Sequence, residues 1–125
     1  MKAAVKNITS DIFYLKTYCP DNLRNFSISL RVQIGLDCTL GADDFEIFIC
    51  TPEWLIDNIY NPYWGRGLLL IREYKLQEVY KNIHELVDGI EGESWQEIST
   101  KLSKFFLWEF DDYKYKRCSY VLSKV

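Results

Sequence analysis

The chain has 125 residues, 48% of them hydrophobic and 16% aromatic, and its fifteen Lys and Arg against eighteen Asp and Glu give a net charge of −3. That length fits one domain, 1–125, with a packed core, and the composition excludes wholesale disorder. The acid surplus excludes a general nucleic-acid binder, which needs a basic stripe to displace phosphate counterions, and no window nears the roughly 18 apolar residues of a membrane span.

The opening MKAAVKNITSDIFYLK holds no apolar block of signal-peptide length, so a cytoplasmic protein is expected. Within it, Ala3 to Ile8 reads as a short strand. Residues 9–25 contain Ser10, Asp11, Pro20, Asp21 and Asn22 and read as an irregular connection. In FSISLRVQI, Phe26, Ile28, Leu30, Val32 and Ile34 alternate with Ser27, Ser29, Arg31 and Gln33. Period two puts the apolar set on one face of a strand, and a strand with one wet face belongs to an antiparallel sheet. The turn-rich GLDCTLGADD follows, and FEIFIC repeats the alternation with Phe45, Ile47 and Ile49, which predicts a hairpin.

CTPEWLIDN then reads as a strand-to-helix corner. Thr51 can accept from the first free amides of a helix, and Pro52 at the first helical position sacrifices no bond. Glu53 places negative charge near the positive end of the helix dipole. The short helix stops before Asn61-Pro62, and NPYWGRG is a loop by its Asn-Pro and two glycines. LLLIREY reads as a buried strand. Leu76, Val79, Tyr80, Ile83, Leu86 and Val87 have amphipathic-helix spacing, ended by Gly89 and Gly92. Ser94 and Glu97 fit a capping box in which each bonds the other's amide. The next helix carries Ile98, Leu102, Phe105 and Phe106 on one side, and the tail ending YKYKRCSYVLSKV reads as a last strand or a loosely held end. The class expected is α+β: three to four antiparallel strands packed against two longer helices and one short one.

Chemistry-bearing groupings are sparse. Cys19, Cys38, Cys50 and Cys118 are scattered without a C-x-x-C pair, and His84 is the sole histidine. Free thiols and a surface histidine are expected, with no metal site, no cofactor and no catalytic set. The rival enzyme reading is a cysteine hydrolase using Cys50 or Cys118 with His84. A second rival is a regulatory adaptor for some other cellular component. Three acidic clusters fall near element ends: Asp43, Asp44 and Glu46; Asp88, Glu91 and Glu93; Glu109, Asp111 and Asp112. They are either solvated rims or a negative face that steers a cationic partner. Tyr60, Tyr63 and Trp64 beside Arg66 are residue types found at interface hot spots, or else a loop folded back on the core.

Through KTYCPDNLRNFSISLRVQIG, DDFEIFICTPEWL and the aromatic loop followed by LLLIREY, the chain resembles a bacterial family of immunity proteins. The resemblance is to the eighth numbered family among those encoded beside polymorphic and contact-dependent toxins. It runs from about Ala3 to about Phe110, and its most specific piece is FEIFICTPEWL. It implies a small cytosolic protein that binds the C-terminal domain of one cognate toxin, without cofactor or turnover. Toxins of such systems are often nucleases, so a cationic toxin surface is implied as well. The shared residues Phe26, Phe45, Thr51, Pro52 and Trp54 look like fold-makers rather than binding residues. The residues expected to meet the toxin are Asp43, Asp44, Tyr60, Tyr63, Trp64, Arg66, Glu91, Glu93, Glu109, Asp111 and Asp112. No direct nucleic-acid or membrane contact is expected, and a second copy of the chain is the other partner its apolar surface allows, as a homodimer.

Overall fold

The alternating stretches form a hairpin at the centre of the sheet. In the computed structural model, which describes residues 1–110, they are β2 (Ser27–Leu36) and β3 (Asp43–Cys50). Their antiparallel register sets Leu30 against Ile47 and Val32 against Phe45, so the apolar sets of both strands share one face. β1 (Ala3–Thr9) pairs antiparallel with β2. Its register shifts between Val5 and Asn7, leaving Lys6 as an extra residue, and the bulge lets Ala3, Val5 and Ile8 all pack against the core despite their uneven spacing.

β3 leads into α1 (Pro52–Asn58) through the corner read from the sequence. The Thr51 hydroxyl accepts from Trp54 N at 3.4 Å and from Phe26 N at 3.3 Å, so one buried oxygen caps the helix and closes the start of β2. After α1 the chain returns to β3 and lays β4 (Leu68–Leu70) beside it, with Phe48 opposite Leu68 and Cys50 opposite Leu70. This pair is parallel, which corrects the wholly antiparallel expectation: α1 and its loop form a crossover, and a crossover delivers the next strand in the same direction. β4 is also not buried, since Leu70 is exposed. A fifth strand, β5 (Leu107–Trp108), pairs antiparallel with the other half of β3.

α2 (Leu76–Asp88) buries Val79, Ile83 and Val87 and packs along β1, while α3 (Trp95–Leu102) buries Ile98, Ser99 and Leu102. Only α2 is long: α3 has 8 residues and α1 has 7, rather than two longer helices and a short one. α3 ends at Leu102, so Phe105 and Phe106 lie past it; Phe106 turns into the core and Phe105 stays exposed. The capping box forms by halves. Ser94 Oγ accepts from Glu97 N at 3.1 Å, but the Glu97 carboxylate takes the amide of Glu93, at 3.0 Å, rather than that of Ser94. A Cβ on Gly92 would lie 3.0 Å from Glu97 Cδ, so the bare glycine makes the room that lets the carboxylate reach one residue further back.

The remaining connections seal the ends. Leu15 is buried, and Tyr18 and Phe26 both meet the ring of Tyr74 edge-on, at 5.4 and 5.1 Å. No helix among the described residues is long and apolar enough to cross a membrane. The reading of a last strand in the tail, together with Asp111, Asp112 and Cys118, lies outside the described residues.

Candidate functional site

The pleat divides the first acidic cluster. Asp43 stands opposite Ile34 and shares the inner face with Phe45, whereas Asp44 and Glu46 point to the outer face, opposite Gln33 and Arg31. On the inner side, Asp43 Oδ2 accepts from two indoles, Trp95 Nε1 at 2.9 Å and Trp108 Nε1 at 3.1 Å. One carboxylate thereby ties β3 to α3 and β5.

On the outer side, β5 brings Glu109 to Asp44. Asp44 N donates to Glu109 Oε1 at 2.7 Å, and Glu109 N donates to the Asp44 carbonyl at 3.1 Å. Gln33 Nε2 donates to Asp44 Oδ1 at 3.2 Å. Arg31 reaches Asp11 Oδ2 with Nη2 at 2.8 Å and stands 3.9 Å from Asp44 Oδ2 with Nε. Around these groups runs a groove of about 610 Å³, whose walls include Asp11, Ile12, Arg31, Asp44, Glu46, Leu107 and Glu109. Asp44 and Glu46 of one sequence cluster and Glu109 of another thus meet at one place, across a strand pairing that joins residues more than sixty positions apart.

The cluster of Asp88, Glu91 and Glu93 does not line this groove. Glu91 bridges Lys2 beside the start of β1, and its carbonyl accepts from Lys101 Nζ at 2.7 Å; Glu93 is exposed just ahead of α3. The aromatic loop splits as well. Tyr63 donates through its hydroxyl to the Arg66 carbonyl at 3.2 Å. Arg66 donates to the carbonyl of Ser103, the C-cap of α3 where the helix leaves backbone oxygens unpaired, and to that of Phe106 beyond it. Tyr60 and Trp64 point outward, 81% and 87% exposed. Gly67 closes the loop at φ 74°, and its missing Cβ would come 2.9 Å from Leu107 Cγ, so the loop abuts the groove.

Asp11, Ile12, Arg31 and Leu107 were not among the expected contact residues. Arg31 had a signal: its outward position in β2, carried across the hairpin, puts it opposite Glu46. For Asp11 and Ile12, in an irregular connection, and for Leu107, in a two-residue strand, the sequence holds no such signal.

Of the groups in the hydrolase reading, Cys50 and His84 are among the described residues and Cys118 is not. Cys50 is fully buried and its thiol is pushed up to about 11 by loss of solvent, the opposite of what a thiolate nucleophile needs. His84 lies exposed on α2.

A family model described as Immunity protein 8 matches residues 3–113, which covers the whole sheet and all three helices. No curated protein and no solved structure matches the chain.

Proposed function

The chain belongs to the Immunity protein 8 family, and from that membership we propose that it neutralises a cognate bacterial toxin domain by tight one-to-one binding, without catalysis. The observation that carries the reading is the extent of the family match, which takes in every element of the fold rather than a single motif. The partner is the C-terminal domain of a polymorphic or contact-dependent toxin, and the complex forms in the cytoplasm. The acid surplus of the chain and the outward acids of β3 support a cationic toxin, such as a nuclease whose own surface must attract a phosphate backbone. Covering that surface keeps the toxin from its substrate, and the protected cell needs no bond-making chemistry from this protein. Tyr60 and Trp64, held outward by a loop that Tyr63 and Arg66 fasten from beneath, supply large rigid side chains of the kind that anchor interfaces.

Co-expression tests the reading. The toxin domain of the adjoining reading frame is expressed alone and together with this chain; restored growth and a co-eluting complex in gel filtration are expected. Growth arrest that persists with no complex formed overturns it. Protection that depends on a host component in place of the toxin would instead favour the adaptor reading.

A further inference from the structure

The two faces of the sheet are unequally covered. The inner face carries the core and its helices. Among the described residues, the outer face is covered at its two ends: at one, Phe48 meets Trp54 of α1 with ring centroids 5.2 Å apart and Cys50 is fully buried, and at the other the backbone of Gly41 folds over Gly35. Between those ends Arg31 and Glu46 are exposed, and no helix of the described residues lies among the walls of the groove they line.

We infer that this middle part of the outer face, which no other described element covers, is where the toxin seats, and that the group it receives is a lysine or arginine side chain. The charged head lies among Glu46, Glu109 and Asp11, and the aliphatic stem runs against Leu107 and Ile12. The inference rests on the binding reading above and adds to it the face and the chemistry of the contact.

Charge selects the occupant. Among the described residues, four carboxylates (Asp11, Asp44, Glu46 and Glu109) surround one guanidinium, that of Arg31, which leaves a surplus of three negative charges. An apolar partner seated here would desolvate that surplus without compensation, and an anionic one would be repelled. Hydrogen-bonding capacity agrees. Each ionised carboxylate offers about four acceptor positions. Asp44 spends one oxygen on Gln33, Glu109 spends one on the Asp44 amide, and Asp11 spends one on Arg31. Glu46 accepts no hydrogen bond among the described residues, so its acceptor positions face the groove with those left on Glu109 and Asp11. Arg31 shows the geometry in miniature, one guanidinium of this chain seated on a carboxylate at 2.8 Å. The apolar component is present too: Ile12 is 82% exposed beside the acids, and Leu107 is half-buried between Gly67 and Glu46. A long basic side chain matches both halves, since its stem is apolar and its head is charged.

The test uses the full chain and the purified toxin domain, with affinity measured at low and moderate salt for wild type, Glu46→Gln, Glu46→Arg and, as a control on the exposed face of α2, Glu85→Arg. Glu46→Gln removes a charge while leaving the strand pair intact, so it reads the contact even if Glu46→Arg, placed opposite Arg31, perturbs the fold. We expect about tenfold weaker binding for Glu46→Gln and about a hundredfold or more for Glu46→Arg, with Glu85→Arg within about twofold of wild type. Wild-type binding retained in both Glu46 variants overturns this face and leaves the immunity reading standing. Failure of wild type to bind the toxin domain removes both. A wild-type dimer in sedimentation that Glu46→Arg converts to monomer assigns the face to a second copy and likewise overturns the inference.

Discussion

Asp43 illustrates how one step in the pleat changes the meaning of a residue. Adjacent in sequence to Asp44, it is separated from it in function by pointing the other way, toward two indoles rather than toward solvent. A charged acceptor shared by two donors is worth more than a neutral one, and its loss leaves both indole N–H groups seeking water in a half-buried site. Asp43→Ala is therefore expected to lower the unfolding free energy by about 3 kcal/mol, read as a lower urea midpoint at unchanged slope, with tryptophan emission shifting to the red. Asp43→Asn keeps an oxygen for one indole and should lose less. If Asp43→Ala is as stable as wild type, the carboxylate does not tie β3 to α3 and β5, and Asp43 returns to the candidate binding residues.

At the scale of elements, what was legible follows the range of the signal. The hairpin was written in a two-residue period, and α1 in the local grammar of Thr51, Pro52 and Glu53, so neither needs a distant partner to be read. β4 and β5 have three and two residues and little pattern of their own; their place is decided by which half of β3 each finds free, a tertiary choice. The groove, too, depends on tertiary pairing. Asp44 and Glu109 were both marked as acidic, but nothing local says that β5 joins them, or that residues 11 and 12 close the margin. Glu97 is the intermediate case: the cap was legible, but the amide that donates to its carboxylate was not. Its carboxyl is held below the ordinary glutamate range chiefly by the Glu93 amide, and next by Lys101. A lowered folded value means stability that is fully present above the ordinary range, about 4.3, and is lost as pH falls through the lowered value. The gap in urea midpoint between wild type and Glu97→Gln should thus be widest near neutral pH and close on acidification. As the side chain is exposed, the gap should be small and shrink with salt. A gap that holds constant through the acid range removes this charge from the stability of α3.

For the whole molecule, charge acts at distances where no individual contact exists. With a net charge of −3 and a local surplus of acids in the groove, the chain approaches a cationic partner down a favourable potential before any side chain touches. Such steering raises the association rate and leaves dissociation, set by the packed interface, almost untouched. It also reaches only as far as salt permits, about 30 Å at 0.01 M but about 10 Å at 0.1 M. Asp111 and Asp112 follow directly on Glu109-Phe110 in the sequence, and exchanging both for Lys changes the net charge by four, from −3 to +1. The double variant should associate with the toxin domain more slowly than wild type, with a large deficit at low salt and a small one at high salt. Stopped-flow association across a salt series reads this without any assumption about where the tail lies. Equal salt slopes for the two proteins would remove long-range steering while leaving inhibition intact. A raised dissociation rate in the variant would make the two aspartates direct contacts rather than part of the field.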